Sequence, residues 1–216
     1  MIVVKPEIEI IDMEDYQTIL KKIERIGRVC YKSEDRIGEG TAERFIAGIL
    51  KSGHESVIEH ENVTVKVTCD RGVTHEIVRH RIASYSQEST RYCNYSRDKF
   101  QNQISVIDIA TGFRYDLNSP SDRKKYEIWT RAMESAEKYY FEMLSAGASP
   151  QEARSILPNS LKTEIVMTMN LREWRHFLKL RLSGGAHPQI REIAGQILDV
   201  LQDRLPVFFQ DISISS

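Results

Sequence analysis

Glu61-Asn62-Val63-Thr64-Val65-Lys66-Val67-Thr68-Cys69 changes the period of the chain. Val63, Val65, Val67 and Cys69 alternate with Thr64, Lys66 and Thr68, and a repeat of two puts the apolar set on one face of a strand. The flanking spacing is helical instead. Glu14 to Val29 reads as a helix carrying Ile19, Ile23, Ile26 and Val29 on one stripe. A second helix starts at Thr41, with Phe45, Ile46, Ile49 and Leu50 as its stripe and Gly53 as its stop. A half-buried strand set among amphipathic helices predicts an α+β fold, helices packed around an antiparallel or mixed sheet.

The rest of the chain extends that pattern. Ile8 to Ile11 can form a short edge strand, and Val73 to Arg79 a short helix. Ile82 to Tyr95, rich in Ser, Gln, Thr and Asn, reads as an ordered loop of functional length. Phe113 to Ser121 is the softest stretch and the place for an excursion from the core. A long helix follows from Ser121 or Asp122 to about Ala146, carrying Trp129, Met133, Ala136, Tyr140 and Met143. Ser149-Pro150-Gln151-Glu152 has the form of a capping box with proline at the first helical position, and Pro158 stops that helix. Thr163 to Met169 is a second strand. Asn170 then caps a helix with Glu173 three residues on, Gly184-Gly185 breaks it, and Pro188 opens a last helix through Ile190, Ile193, Ile197, Leu198 and Leu201.

Composition narrows the function classes. The 216 residues, 41% apolar and 28% charged, supply enough apolar area for a single folded domain over 1–216 and exclude a disordered chain. Thirty Lys+Arg against 31 Asp+Glu leave a net charge of −1, so any anion site must be a local concentration of cations and not a general polyanion surface. No apolar run approaches the roughly 18 residues of a membrane span, and the acidic turn after MIVVK does not read as a signal peptide. Cys30, Cys69 and Cys93 are odd in number and lack Cys-x-x-Cys spacing. Neither a disulfide scaffold nor a zinc site is expected, and a cytoplasmic location is.

The densest chemistry is Arg79-His80-Arg81-Ile82-Ala83-Ser84-Tyr85-Ser86-Gln87-Glu88-Ser89-Thr90-Arg91-Tyr92. Three adjacent cationic or protonatable groups repel one another unless an anion or carboxylates hold them, and guanidinium forks fit phosphate oxygens. The hydroxyls, amide and carboxylate that follow suit a ligand carrying both a phosphate and a heterocycle. A solvated basic turn neutralised by Glu88 remains the plainer alternative. On the helix from Asn170, Arg172, His176 and Lys179 share one face, while Trp174, Leu178 and Arg181 share the opposite, apolar one. An unpaired charge there would cost several kcal/mol, so Arg181 needs a fixed anionic or accepting partner, in a salt bridge or in a ligand. His54 to His60 and His75 to His80 have offsets of six and five, which do not set two rings on one helix face as zinc peptidases require. No dinucleotide, P-loop or nucleophile-elbow motif occurs, and no cysteine has an activating base beside it.

The ordered set Arg79-His80-Arg81…Ser84…Ser89…Arg91 resembles the signature of flavin-dependent thymidylate synthase. Three further blocks agree in order: His54-Glu55-Ser56-Val57-Ile58-Glu59-His60, Ala153-Arg154-Ser155-Ile156-Leu157-Pro158, and Asn170-Leu171-Arg172…His176-Phe177-Leu178…Arg181. The resemblance runs from about Cys30 to the last helix. It implies that family's α+β fold and a cytoplasmic homotetramer with active sites shared between subunits. It also implies a methyltransferase of nucleotide biosynthesis, turning dUMP into dTMP with FAD, NADPH as reductant and 5,10-methylenetetrahydrofolate as carbon donor. Carried over, the dUMP contacts fall on Glu76, Arg79, Gln87, Glu88, Ser89, Thr90, Arg91, Arg154 and Arg181. Those of FAD fall on Ser56, Glu59, Arg79, His80, Arg81, Gln87, Asn170, Arg172 and His176. Arg181 resembles the arginine that favours ionisation of the uracil ring, His54 an active-site histidine near the flavin, and Ser89 a group that orients or polarises the nucleotide. No metal, nucleic acid or membrane partner is implied.

Departures from the family pattern are local. Ser86-Gln87 stands where Asn-Glu is usual, with the carboxylate moved to Glu88, and Val57 replaces a common proline. Glu76 replaces an amide and, near a phosphate, would have to face a ring N–H or an arginine. Two other readings stay open on residues alone. Tyr85, Tyr92 and Tyr95 beside arginines could stack bases in an RNA- or nucleotide-binding module, and His54, His60, His75 and His80 could serve a metal hydrolase.

Overall fold

The computed structural model describes residues 1–97 and 100–214. Its centre is a four-stranded antiparallel sheet in the order β2-β3-β6-β4, formed by β2 (Glu7–Asp12), β3 (Asn62–Asp70), β4 (Ser84–Gln87) and β6 (Lys162–Asn170). β3 and β6 pair along their whole length, from Asn62 opposite Asn170 to Asp70 opposite Lys162. Val63, Val65 and Val67 therefore lie opposite Met169, Met167 and Ile165, and all six are buried. The alternation that marks β3 in the sequence is repeated in β6, so the two strands share one apolar face. β2 is an edge strand, as its short apolar run suggests.

That face is covered by α1 (Tyr16–Tyr31), α2 (Thr41–Lys51), α6 (Leu171–Arg181), α7 (Pro188–Arg204) and the short α8 (Pro206–Phe209). They form one core with Ile19, Ile23, Ile46, Trp174, Phe177, Ile193, Leu201 and Phe208 among its members. The Trp174 indole donates to the Val63 carbonyl at 3.1 Å, which fixes α6 against β3. α1 is rotated from the expected stripe: Ile19, Leu20, Ile23 and Gly27 are buried, whereas Val29 is half exposed. Gly27 explains the rotation, because a Cβ there would lie 2.6 Å from the Phe45 ring, so α1 meets α2 at its glycine.

A second, smaller core gathers Tyr95, Ile104, Val106, Met133, Tyr140, Ala153 and Leu161. It is built by β1 (Ile2–Val4) paired in parallel with β5 (Ser105–Ile107), by α4 (Pro120–Ser145) and by the four-residue α5 (Pro150–Ala153). The capping box at Ser149 forms as its sequence predicts, with the hydroxyl accepting from the Glu152 N–H and the Glu152 carboxylate accepting from the Ser149 N–H. Its helix is brief and passes into a 3₁₀ turn over Arg154–Ile156 before Pro158. α3 (Arg71–Ile77) completes the elements.

The stretch Ile82 to Tyr95 is not wholly loop: Ser84–Gln87 is β4, with Ser84 opposite Thr168 and Gln87 opposite Ile165. Polar side chains hide it, because an edge strand this short needs only Tyr85 turned inward, where its hydroxyl donates to the carbonyls of Ile77 and His80. The β1–β5 pairing joins segments about a hundred residues apart and leaves no local signal.

Arg175, 2% exposed, is the deepest Lys or Arg among the described residues. Its guanidinium holds Glu55 at 3.1 Å, both Asp211 oxygens at 2.6 Å and the Phe208 carbonyl, so it joins α6 to the 3₁₀ turn over Glu55–His60 and to the chain after α8. Arg175→Met leaves that carbonyl and Glu55 without this donor and is expected to cost about 2–4 kcal/mol, below the loss for a fully buried pair because Asp211 is solvated. A lower urea midpoint at unchanged slope checks it.

Candidate active site

α6 starts where β6 ends, because the Asn170 side chain accepts from the Glu173 N–H at 2.9 Å and turns the chain into a helix. Arg172, His176 and Lys179 then project from one exposed face of it, as their spacing predicts. With Glu55, Glu59, Ile82, Asn170 and Glu173 they line a cleft of about 570 Å³. Arg172 meets Glu59 at 2.5 Å, and Lys179 lies 3.7 Å from Glu55. The structure thus gathers Glu59, Asn170, Arg172 and His176 of the expected flavin set in one place. Ser56 lies exposed on the adjoining 3₁₀ turn, and Arg79 and Arg81 are exposed on either side of buried His80.

His80 joins this cleft to Arg181. The Arg181 Nε–H donates to His80 Nε2 at 3.0 Å, and His80 Nδ1 lies 3.2 Å from Glu173 Oε1. A guanidinium has no acceptor, so Nε2 must be the bare nitrogen and Nδ1 carries the proton toward Glu173. The ring packs 4.8 Å from Phe177 and 5.6 Å from His176. Burial first, then the charges of Arg181 and His176, push its pKa down to about 4, so the ring is neutral. Burial likewise pushes the Glu173 carboxyl up, against the pull of His176. His80, Glu173 and His176 bring ligand atoms within 4.8 Å of one another. A cation there would have to displace Arg181 from Nε2 or the proton from Nδ1, so the trio is read as a hydrogen-bonded link. Among the described residues no such cluster includes His54, His60 or His75.

Arg181 has the partner that its place on an apolar face demands. Nη1 donates to Glu76 Oε2 at 2.9 Å and Nη2 to the Glu76 carbonyl at 2.8 Å. The Glu76 carboxylate therefore faces an arginine. Its helix, α3, is capped by Asp70, whose carboxylate accepts from the Val73 N–H at 2.7 Å. Glu76 lines a smaller cleft of about 320 Å³ with His75 and His187.

The loop after β4 is tied to α3 and β6. Gln87 Nε2 donates to Thr74 at 3.1 Å and Thr163 at 3.4 Å, and Arg71 reaches the Glu88 carbonyl at 3.4 Å. The Glu88 carboxylate is held by Lys162 and by the Tyr95 hydroxyl, both at 3.3 Å. Thr90 is buried, and Ser89 Oγ accepts from the Arg91 N–H at 3.3 Å with no base beside it. Arg91 is exposed, stacked over Tyr92, and Arg154 is exposed on its 3₁₀ turn. Among the described residues no ion pair engages Arg79, Arg81, Arg91 or Arg154. Nor does any bond join Arg91 or Arg154 to Arg181. His54 stands at the head of the Glu55–His60 turn, exposed, its Nδ1 2.5 Å from the Tyr31 hydroxyl. Of the three tyrosines that an RNA module would stack on, Tyr85 is anchored by its hydroxyl and Tyr95 is buried, while Tyr92 is exposed beside Arg91.

The family model described as thymidylate synthase complementing protein matches residues 12–207. The chain belongs to that family. It is 37% identical over 174 residues to a protein of Pyrococcus furiosus, 80% of this chain and 68% of that one. It is 32% identical over 191 residues to one of Geobacter sulfurreducens, 85% and 78% of the two chains. A protein of Mycolicibacterium vanbaalenii is 34% identical over 210 residues, 89% and 79%. All three are named flavin-dependent thymidylate synthase. Among the described residues no helix is long and apolar enough to cross a membrane.

For this member of the family the structure adds Glu173, Tyr31 and Arg175 to the residues singled out in sequence. Glu173 was visible as a capping residue, and its second role depends on where α3 ends. Arg175 could have been found, since it sits four residues after Leu171 and three before Leu178 on the buried side of α6.

The neutral ring of His80 sets a pH dependence. Between its ordinary value of 6.5 and about 4, the unfolded chain binds a proton that the folded chain refuses. Its contribution is therefore complete above pH 6.5 and lost as pH falls through that window. Urea unfolding should show the stability difference between wild type and His80→Gln shrinking by about 3 kcal/mol across it; a constant difference contradicts the assignment.

Proposed function

We propose that the chain is a flavin-dependent thymidylate synthase, holding FAD in the cleft along α6 and dUMP beside Arg181, and making dTMP. The observation that carries this reading is His80, which touches Arg181 with one nitrogen and the cleft carboxylate Glu173 with the other. The cleft offers FAD the Asn170 amide nitrogen as a donor, the His176 ring and an apolar wall at Ile82, and a diphosphate there would take Arg172 and Lys179 from Glu59 and Glu55. When bound, FAD reduced by NADPH supplies hydride, and 5,10-methylenetetrahydrofolate supplies the carbon.

The chain's own residues orient and charge the site. Arg181 is fixed by three hydrogen bonds, and its side chain is 13% exposed. Its remaining N–H groups stabilise negative charge on the uracil ring more strongly than water could, because the cation is preorganised at low dielectric. Ser89 Oγ and the Thr90 backbone orient the nucleotide. The unpaired Arg79, Arg91 and Arg154 bind its phosphate, and Arg91 and Arg154 come from neighbouring chains of a homotetramer with shared sites. Small molecules are the only substrates of this site.

Arg181→Ala is expected to keep its flavin and to lose about a hundredfold or more of dTMP formation. Arg181→Lys restores part of it, a point charge without the fork. Tritium release from ring-labelled dUMP is the readout, and an Arg181→Ala protein working at the wild-type rate overturns the role given to Arg181.

A further inference from the structure

A second cleft, of about 680 Å³, opens between α1 and α2. Its wall holds Lys32 after α1, Arg36 on the 3₁₀ turn Glu34–Arg36 and Arg44 on α2, with Tyr31, Phe45 and Gly48 beside them. Arg28 also lines it, but Glu24 pairs with that residue at 2.8 Å, and its guanidinium lies 4.3 Å over Phe45. Asp35 is the only carboxylate on the wall among the described residues. Among those residues no ion pair engages Lys32, Arg36 or Arg44. Lys32, Arg36 and Arg44 are exposed, and all three border this one hollow in a chain of net charge −1.

The hollow adjoins His54. Tyr31 is half exposed within the cleft, and its hydroxyl meets His54 Nδ1 at 2.5 Å. A ligand could therefore place a flat ring at His54 and an anionic tail among the three cations. We propose that this cleft seats the polyanionic tail of a heterocyclic co-substrate other than dUMP. The inference rests on the preceding functional reading, in which two molecules have that chemistry: the glutamyl carboxylates of methylenetetrahydrofolate and the phosphates of NADPH.

Two variants separate the possibilities. Arg36→Glu combined with Arg44→Glu reverses the charge of the cleft. Gly48→Leu fills it, since a Cβ on Gly48 meets nothing within 4 Å and leucine suits a helix better than glycine. The readouts are the NADPH concentration that half-saturates anaerobic flavin reduction, and KM for methylenetetrahydrofolate bearing one or several glutamates. The shift of the flavin spectrum with dUMP serves as control. Both variants are expected to raise one of the first two constants about tenfold, the loss of one charge-assisted contact, and to leave the control unchanged. A rise in the first identifies phosphates; a rise confined to the polyglutamylated substrate identifies carboxylates. An active wild type whose constants do not move in either variant overturns this proposal alone. A wild type that forms no dTMP overturns the functional reading, and this one with it.

Discussion

An imidazole held between a guanidinium and a carboxylate has one arrangement open to it. Arg181 can only donate, so His80 must accept at Nε2, carry its proton on Nδ1 and stay neutral. That requirement links three places in the chain. Glu173 belongs to the first turn of α6, Arg181 is its last residue, and His80 follows α3. The ring therefore fixes α6 against α3, and with them the cleft along α6 against Arg181. Burial makes the link stiff, since a displaced His80 would leave both the Arg181 Nε–H and the Glu173 carboxyl without their internal partners.

Much of this frame is legible in the sequence because its signals are local. The Val63–Cys69 alternation, the Asn170 cap and the Ser149 capping box each specify a backbone state within a few residues, and each forms. So does the shared face of Arg172, His176 and Lys179. What escapes a reading of the sequence depends on partners far along the chain. β4 is polar and becomes a strand only because β6 lies ready beside it, and β1 needs β5. Val29 has helical spacing but falls round the side of α1, because Gly27 and Phe45 set where two helices touch.

The same division holds for the site. The need of Arg181 for a fixed partner follows from an arginine on an apolar stripe, and Glu76 meets it. The role of Glu173 does not follow from its capping position, because nothing near it in sequence announces His80. Charge is distributed accordingly. A chain close to neutral overall keeps Arg175 in a closed structural pairing with Glu55 and Asp211, and leaves Arg79, Arg81, Arg91 and Arg154 exposed without ion pairs among the described residues.

Under the proposed function, His80 stands between a flavin and a nucleotide in a site that neighbouring chains complete. The visible absorption spectrum of the purified protein, before and after adding dUMP, tests it most directly. The account predicts flavin bands that follow the protein through gel filtration and shift when dUMP binds. A protein that stays colourless after incubation with FAD contradicts it, as do bound flavin bands that dUMP leaves unchanged at saturation.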